Sequence, residues 1–205
     1  MKGKFIVIEG PDGSGKSTVA RSILEYFQEK AIPMIHTREP GGTPVGEEIR
    51  NLLLDPENKE IHPRTEALLY AASRAQHVEE KIRPHLEKGV HVLCERFVFS
   101  SLVYQGMARD MGIDNIQTIN DFATSDVKPD LILYLDPKEK ITRDRIQERP
   151  LDRLELEEEF TQSVQANYRI LAQKMQEQLH FVDATQNPEE VLKDCLEEMI
   201  KELEV

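Results

Sequence analysis

Gly10-Pro11-Asp12-Gly13-Ser14-Gly15-Lys16-Ser17-Thr18 follows the apolar run Phe5-Ile6-Val7-Ile8 and leads directly into Val19-Ala20-Arg21-Ser22-Ile23-Leu24. A glycine, four residues, then Gly-Lys-Ser is the spacing of a phosphate-binding loop, and a strand before it with a helix after it is the context that loop requires. Glycines let the backbone curl so that successive N–H groups face phosphate oxygens, and the helix N-terminus adds partial positive charge. Lys16 then reaches the β- and γ-phosphates, and the Ser17 hydroxyl is offered to Mg²⁺. A flexible Gly/Ser turn would leave the lysine and the two following hydroxyls unexplained. The reading is a nucleoside triphosphate site formed by residues 10–18.

Working outward, short β-rich runs alternate with longer helical patterns. Strands are predicted at Phe5–Ile8, Met34–Thr37, Val90–Cys94, Leu131–Leu135 and His180–Val182. Helices are predicted at Ser17–Glu29, Gly46–Leu54, Thr65–Glu87, Lys138–Arg149, Leu156–Gln178 and Pro188–Leu203. Such alternation implies an α/β fold of the phosphate-loop NTPase type, a five-stranded parallel sheet with helices on both faces. The nearly unbroken apolar run Leu131-Ile132-Leu133-Tyr134-Leu135 fits a strand buried on both sides. Pro150, within the charged stretch Glu148–Glu155, breaks a helical pattern and is read as part of a short lid over the site, at about residues 143–155.

The chain has 205 residues, enough for one sizeable core, so residues 1–205 are read as a single domain. A net charge of −12 disfavours a nucleic-acid or anionic-membrane surface, because either needs a concentrated basic face. No apolar stretch approaches the ~20 residues of a membrane span, and a cytoplasmic setting is expected. Cys94 and Cys195 lie far apart, which argues against disulfide or metal use, and the six histidines are scattered.

A phosphate loop alone admits kinases, GTPase switches and ATPases. The guanine-reading pattern Asn-Lys-x-Asp is absent, since Asn58-Lys59 is followed by Glu60-Ile61. The third strand ends in Glu95-Arg96-Phe97, where a carboxylate at a sheet's carboxyl edge is placed to hold Mg²⁺ through water and an arginine to face a phosphate. A surface ion pair at a strand end is the alternative for this triplet taken alone.

Several motifs in order carry a resemblance to thymidylate kinases. They are Glu9–Thr18, Thr37-Arg38-Glu39-Pro40-Gly41-Gly42, Gly46-Glu47-Glu48-Ile49-Arg50, and Arg64-Thr65-Glu66-Ala67-Leu68-Leu69-Tyr70-Ala71-Ala72-Ser73-Arg74. Glu95-Arg96-Phe97, Ser100-Ser101-Leu102-Val103-Tyr104-Gln105-Gly106, Leu151-Asp152-Arg153-Leu154-Glu155 and Val182-Asp183-Ala184-Thr185 continue it. The resemblance implies ATP-dependent phosphorylation of thymidine 5′-monophosphate (dTMP) to the diphosphate, with Mg²⁺, by a homodimer. It implies that Arg50 and Arg96 grip the acceptor phosphate, as guanidinium forks do. Tyr70 would stack on thymine and Arg74 donate to its O4, with Glu39, Ser101 and Gln105 around the base. Tyr104 would crowd the sugar 2′ position and Asp12 accept from the 3′-hydroxyl. Ser17 and Glu95 would serve the metal, and Lys16, Glu95, Arg96 and the lid arginines Arg149 and Arg153 the transfer.

The chain departs from the family's usual pattern at Glu95, where aspartate is commoner, and at Phe97, where tyrosine or histidine often stands. Gly13 replaces a loop arginine present in some members, which leaves arginines of the lid, Arg143, Arg145, Arg149 and Arg153, to supply charge. Another pyrimidine deoxynucleotide, a small metabolite, or a nucleotide-dependent binding switch remain open alternatives.

Overall fold

The computed structural model describes residues 2–137 and 152–204. Strand β1 (Phe5–Glu9) is buried at every position, as its unbroken apolar run requires of a central parallel strand. It pairs in parallel with β3 (His91–Glu95) on one side and β4 (Leu131–Asp136) on the other. Strand β2 (Met34–Arg38) lies outside β3 and β5 (His180–Asp183) outside β4, giving the parallel order β2-β3-β1-β4-β5. The connection leaving β1 runs to β2 on one side and that leaving the adjacent β3 runs to β4 on the other, so the phosphate loop falls at the topological switch point, outside the carboxyl ends of the strands.

Alternation along β1 divides the core. Ile6 and Ile8 face helix α1 (Lys16–Glu29) and the last helix, packing with Ile23, Phe27, Cys195 and Met199. Phe5 and Val7 face the opposite layer with Val78, Ile82 and Phe97. There α2 (Pro44–Leu54) and α3 (Pro63–His77) begin with proline at the first turn, after the caps Thr43 and His62.

The expected single helix Thr65–Glu87 is divided. Helix α3 gives way to a π-helical turn, Val78–Ile82, and then to α4 (Arg83–Glu87). Pro84 accounts for the change, because it has no N–H for the carbonyl four residues back and its ring crowds that carbonyl. Residues 98–124 hold helices where the sequence reading places none: α5 (Val98–Ser101), a π-helical stretch Leu102–Ala108, and α6 (Ile113–Thr124). Helix α7 (Glu158–Lys174) is shorter than the predicted Leu156–Gln178, with Gln176–Gln178 a separate 3₁₀ turn. Helix α8 (Pro188–Leu203), capped by Asn187, covers the same face as α1. The predicted helix Lys138–Arg149 lies outside the described residues.

Candidate active site

The phosphate loop is built by glycine at two positions above all. Gly10 has φ 147°, and a Cβ there would lie 2.7 Å from the Leu135 carbonyl oxygen. Gly15 caps α1 with φ 93°, a left-handed conformation that costs glycine little. Lys16 curls back inside this loop, its Nζ donating to the carbonyls of Gly10 at 2.9 Å and Pro11 at 2.8 Å. Burial lowers the Lys16 ammonium to about 7, and the Arg96 charge adds to the effect. A triphosphate in the loop would restore its charge. The buried Ser14 Oγ has no hydrogen-bond partner, an orphan group facing the function of the loop.

Arg96 stands just past β3 with φ 66°, a strained conformation for a residue with a side chain. The turn is held from beneath by the buried Glu9 carboxyl, which accepts from the backbone N–H groups of Phe97 (2.8 Å) and Ser100 (3.2 Å) and from Ser100 Oγ (2.6 Å). Burial raises Glu9 above the usual carboxylate range against the pull of Arg96. So held, Arg96 donates to Asp12 Oδ1 at 2.6 Å, to Gly10 O and Ser100 Oγ at 3.1 Å, and to Tyr168 Oη. Tyr104 Oη donates to the other Asp12 oxygen at 2.7 Å. Burial would raise Asp12, yet Arg96, Lys16 and the Tyr104 hydroxyl together hold it below the usual range.

Ser17 Oγ donates to Glu95 Oε2 at 2.6 Å, and His36 Nε2 lies 2.9 Å from Glu95 Oε1. Desolvation opposes ionisation of Glu95, but His36 and Ser17 hold it below its ordinary value. Hydroxyl and carboxylate oxygens suit a hard cation such as Mg²⁺. Among the described residues no group of three or more His, Cys, Asp or Glu is placed to hold a metal ion. A metal here would therefore draw its remaining ligands from water and nucleotide phosphates.

Arg74 is buried, with Nε on Glu39 Oε2 at 2.7 Å, Nη2 on the Phe97 carbonyl at 2.9 Å, and Nη1 on Ser101 Oγ at 3.0 Å and on Asn120 Oδ1. Glu39 binds the buried His77 through its second oxygen, and His77 Nε2 meets Thr37 Oγ1 at 2.7 Å. Gln105 Nε2 donates to the buried Glu66 at 2.9 Å. Arg50 Nη1 holds the Pro40 carbonyl at 2.9 Å.

One cavity of about 770 Å³ brings these groups together: residues 12–18 of the loop, Glu39, Arg50, Tyr70, Arg74, Glu95, Arg96, Ser101, Tyr104 and Gln105 all line it. Arg153 does not. Its Nε donates to the Leu53 carbonyl at 2.8 Å and its Nη2 pairs with Glu66 at 2.7 Å, so it is held in the protein rather than free at the phosphates. Arg143, Arg145 and Arg149 lie outside the described residues. Sequence reasoning missed the supporting residues Glu9, His36, Glu66, His77, Asn120 and Tyr168. Only His77 leaves a local signal, three positions after Arg74 on the same helix.

Residues 8–195 match the family model of thymidylate kinase. The chain belongs to the thymidylate kinase family. It is 48% identical over 195 residues to a thymidylate kinase of Finegoldia magna, an alignment covering 94% of this chain and 96% of that one. It is 45% identical to a thymidylate kinase of Ligilactobacillus salivarius over 201 residues, 96% of this chain and 97% of the other. The crystal structure of thymidylate kinase from Ehrlichia chaffeensis superposes with a TM-score of 0.80 at 27% identity, covering 97% of this chain and all of that one. The cavity is lined both by the phosphate loop and by a second group of residues, Arg50, Tyr70, Arg74 and Arg96.

Proposed function

We propose that this chain transfers the γ-phosphoryl group of ATP to thymidine 5′-monophosphate, giving thymidine 5′-diphosphate for nucleotide biosynthesis. The observation that carries this reading is the single cavity joining the phosphate loop to Arg50, Tyr70, Arg74, Arg96 and Gln105. Family membership names the substrates. A phosphate monoester carries most of its second negative charge near neutrality, its pKa being ~6, so the acceptor needs no general base. What the chain must supply is alignment and positive charge. Lys16 meets the donor's β- and γ-phosphates, and Arg96 and Arg50 bind the acceptor phosphate bidentately. Arg96 is already oriented by Asp12 and Tyr168 and cannot swing freely.

At the nucleoside, Tyr70 stacks on thymine, Arg74 donates toward O4, and Gln105, Ser101 and Glu39 complete the base pocket. Tyr104 fills the space at the sugar 2′ position, and Asp12 accepts from the 3′-hydroxyl. Ser17 would hold Mg²⁺ directly and Glu95 through water. When bound, Mg²⁺ neutralises charge on the phosphates. A lid near 143–155 supplies the arginine that Gly13 does not, and Arg149 is the residue proposed for that role.

The chain is read as one domain over 1–205. The packed helices α2, α3 and α6 carry exposed Val45, Leu52, Leu68 and Phe122, which suits a homodimer interface. No described helix is long and apolar enough to cross a membrane. Two buried, unpaired thiols accord with a reducing, cytoplasmic setting. A coupled ADP-release assay across nucleoside monophosphates tests the reading. Turnover should be highest with dTMP; preference for a cytidine or purine monophosphate, or ATP hydrolysis with no acceptor needed, would overturn it.

A further inference from the structure

We infer that His36 is a positioning residue for the Glu95 carboxylate, a role that rests on the metal reading above. In the parallel register of β2 and β3, Arg38 lies beside Glu95. His36, two residues earlier, therefore projects from the same face of the sheet as Arg38 and Glu95. The two carboxylate oxygens are divided between separate elements: Oε1 meets His36 Nε2 at 2.9 Å, and Oε2 accepts from Ser17 Oγ at 2.6 Å. An ionised carboxylate only accepts, so the imidazole must carry its proton on Nε2.

The need for such a brace follows from the residue at 95. Glutamate has one more methylene and one more rotatable bond than aspartate, so its carboxylate sweeps a wider arc and loses direction. Tying Oε1 to an edge strand removes that freedom and leaves Oε2 aimed at Ser17. Outer partners of this kind typically tune metal affinity about 10–100-fold, because they orient the groups that meet the ion or its water. His36 would act through Glu95 and touch neither nucleotide.

Manganese(II), read by electron paramagnetic resonance, is the probe for the full-length protein with ADP bound. His36→Leu should weaken Mn²⁺ binding about tenfold. His36→Gln should keep the wild-type affinity, since its amide nitrogen sits the same number of bonds from Cα as Nε2 and can donate. In a Glu95→Asp background, where the carboxylate withdraws from β2 by one bond length, adding His36→Leu should change nothing further. Unchanged Mn²⁺ affinity in His36→Leu, or an equal loss in both backgrounds, overturns the inference while leaving the metal reading intact if Ser17→Ala and Glu95→Ala still weaken binding. Should those two variants also bind Mn²⁺ as the wild type does, the metal reading itself is wrong.

Discussion

Asp152 shows how burial sets the chemistry of one residue. Its Oδ1 accepts from the backbone N–H groups of Leu154 and Glu155, yet burial and the neighbouring Glu155 charge push its carboxyl up to about 6. A carboxyl raised above its unfolded value of 3.8 stabilises the fold least when ionised. Between these two values the folded state binds more protons, so this contribution is lost as pH rises through about 6. Asp152→Asn keeps the acceptor oxygen and removes the charge. Thermal unfolding should find the variant more stable than wild type at pH 7.5 by about 1–2 kcal/mol, a figure discounted for the residue's half-buried position, with the gain vanishing near pH 4. A gain independent of pH would assign the effect to something other than ionisation. The same scale sets what the sequence discloses. Lys16, Ser17 and the loop glycines are legible because their partners lie within a few positions. The partners of Arg74 come from four elements or loops, and nothing in the local pattern around Glu39 or Asn120 announces that they will meet it.

Among the elements, α3 does the joining. From one of its turns the buried Glu66 accepts from Arg153, just before α7, and from Gln105 and Arg109 on or just past the π-helical stretch. Arg109 also lies 3.9 Å from the centre of the Phe160 ring at the start of α7. Removing the carboxylate leaves buried guanidinium charge without compensation, which costs about 3–5 kcal/mol. Glu66→Ala should therefore lower the urea midpoint by that equivalent, and Arg153→Met, which removes charge and retains bulk, by much less. Equal midpoints for Glu66→Ala and wild type would contradict the assignment. The pairing of Arg153 is not legible locally: along the chain it neighbours Asp152 and Glu155, while its partner Glu66 is 87 positions away. The inner strands β1 and β4 were legible because strands covered on both faces are nearly continuous apolar runs, whereas the edge strands β2 and β5 are short and carry polar residues. Helix α6 was not, since its apolar positions are interleaved with Asp114, Asn115, Gln117 and Asn120, and the π-helical turns leave no regular period to find.

For the whole molecule, the five-strand order places the phosphate loop at the switch point and the helical layer containing α3 and α6 beside it, so that residues of both line one cleft. Phe122 is 91% exposed and Leu68 57%, an apolar cost on a chain of net charge −12 that burial against a second copy would remove. Light scattering should report a dimer for wild type and a monomer for Leu68→Glu with Phe122→Glu; a wild-type monomer at micromolar concentration would reject that interface. The proposed transfer requires donor and acceptor nucleotides to occupy one cavity at the same time. It is tested most directly by a bisubstrate analogue in which adenosine and thymidine are joined at their 5′ positions through a chain of phosphates. The analogue should bind once per chain and compete with both ATP and dTMP. Competition with only one of the two, or binding of two analogues per chain, would contradict it.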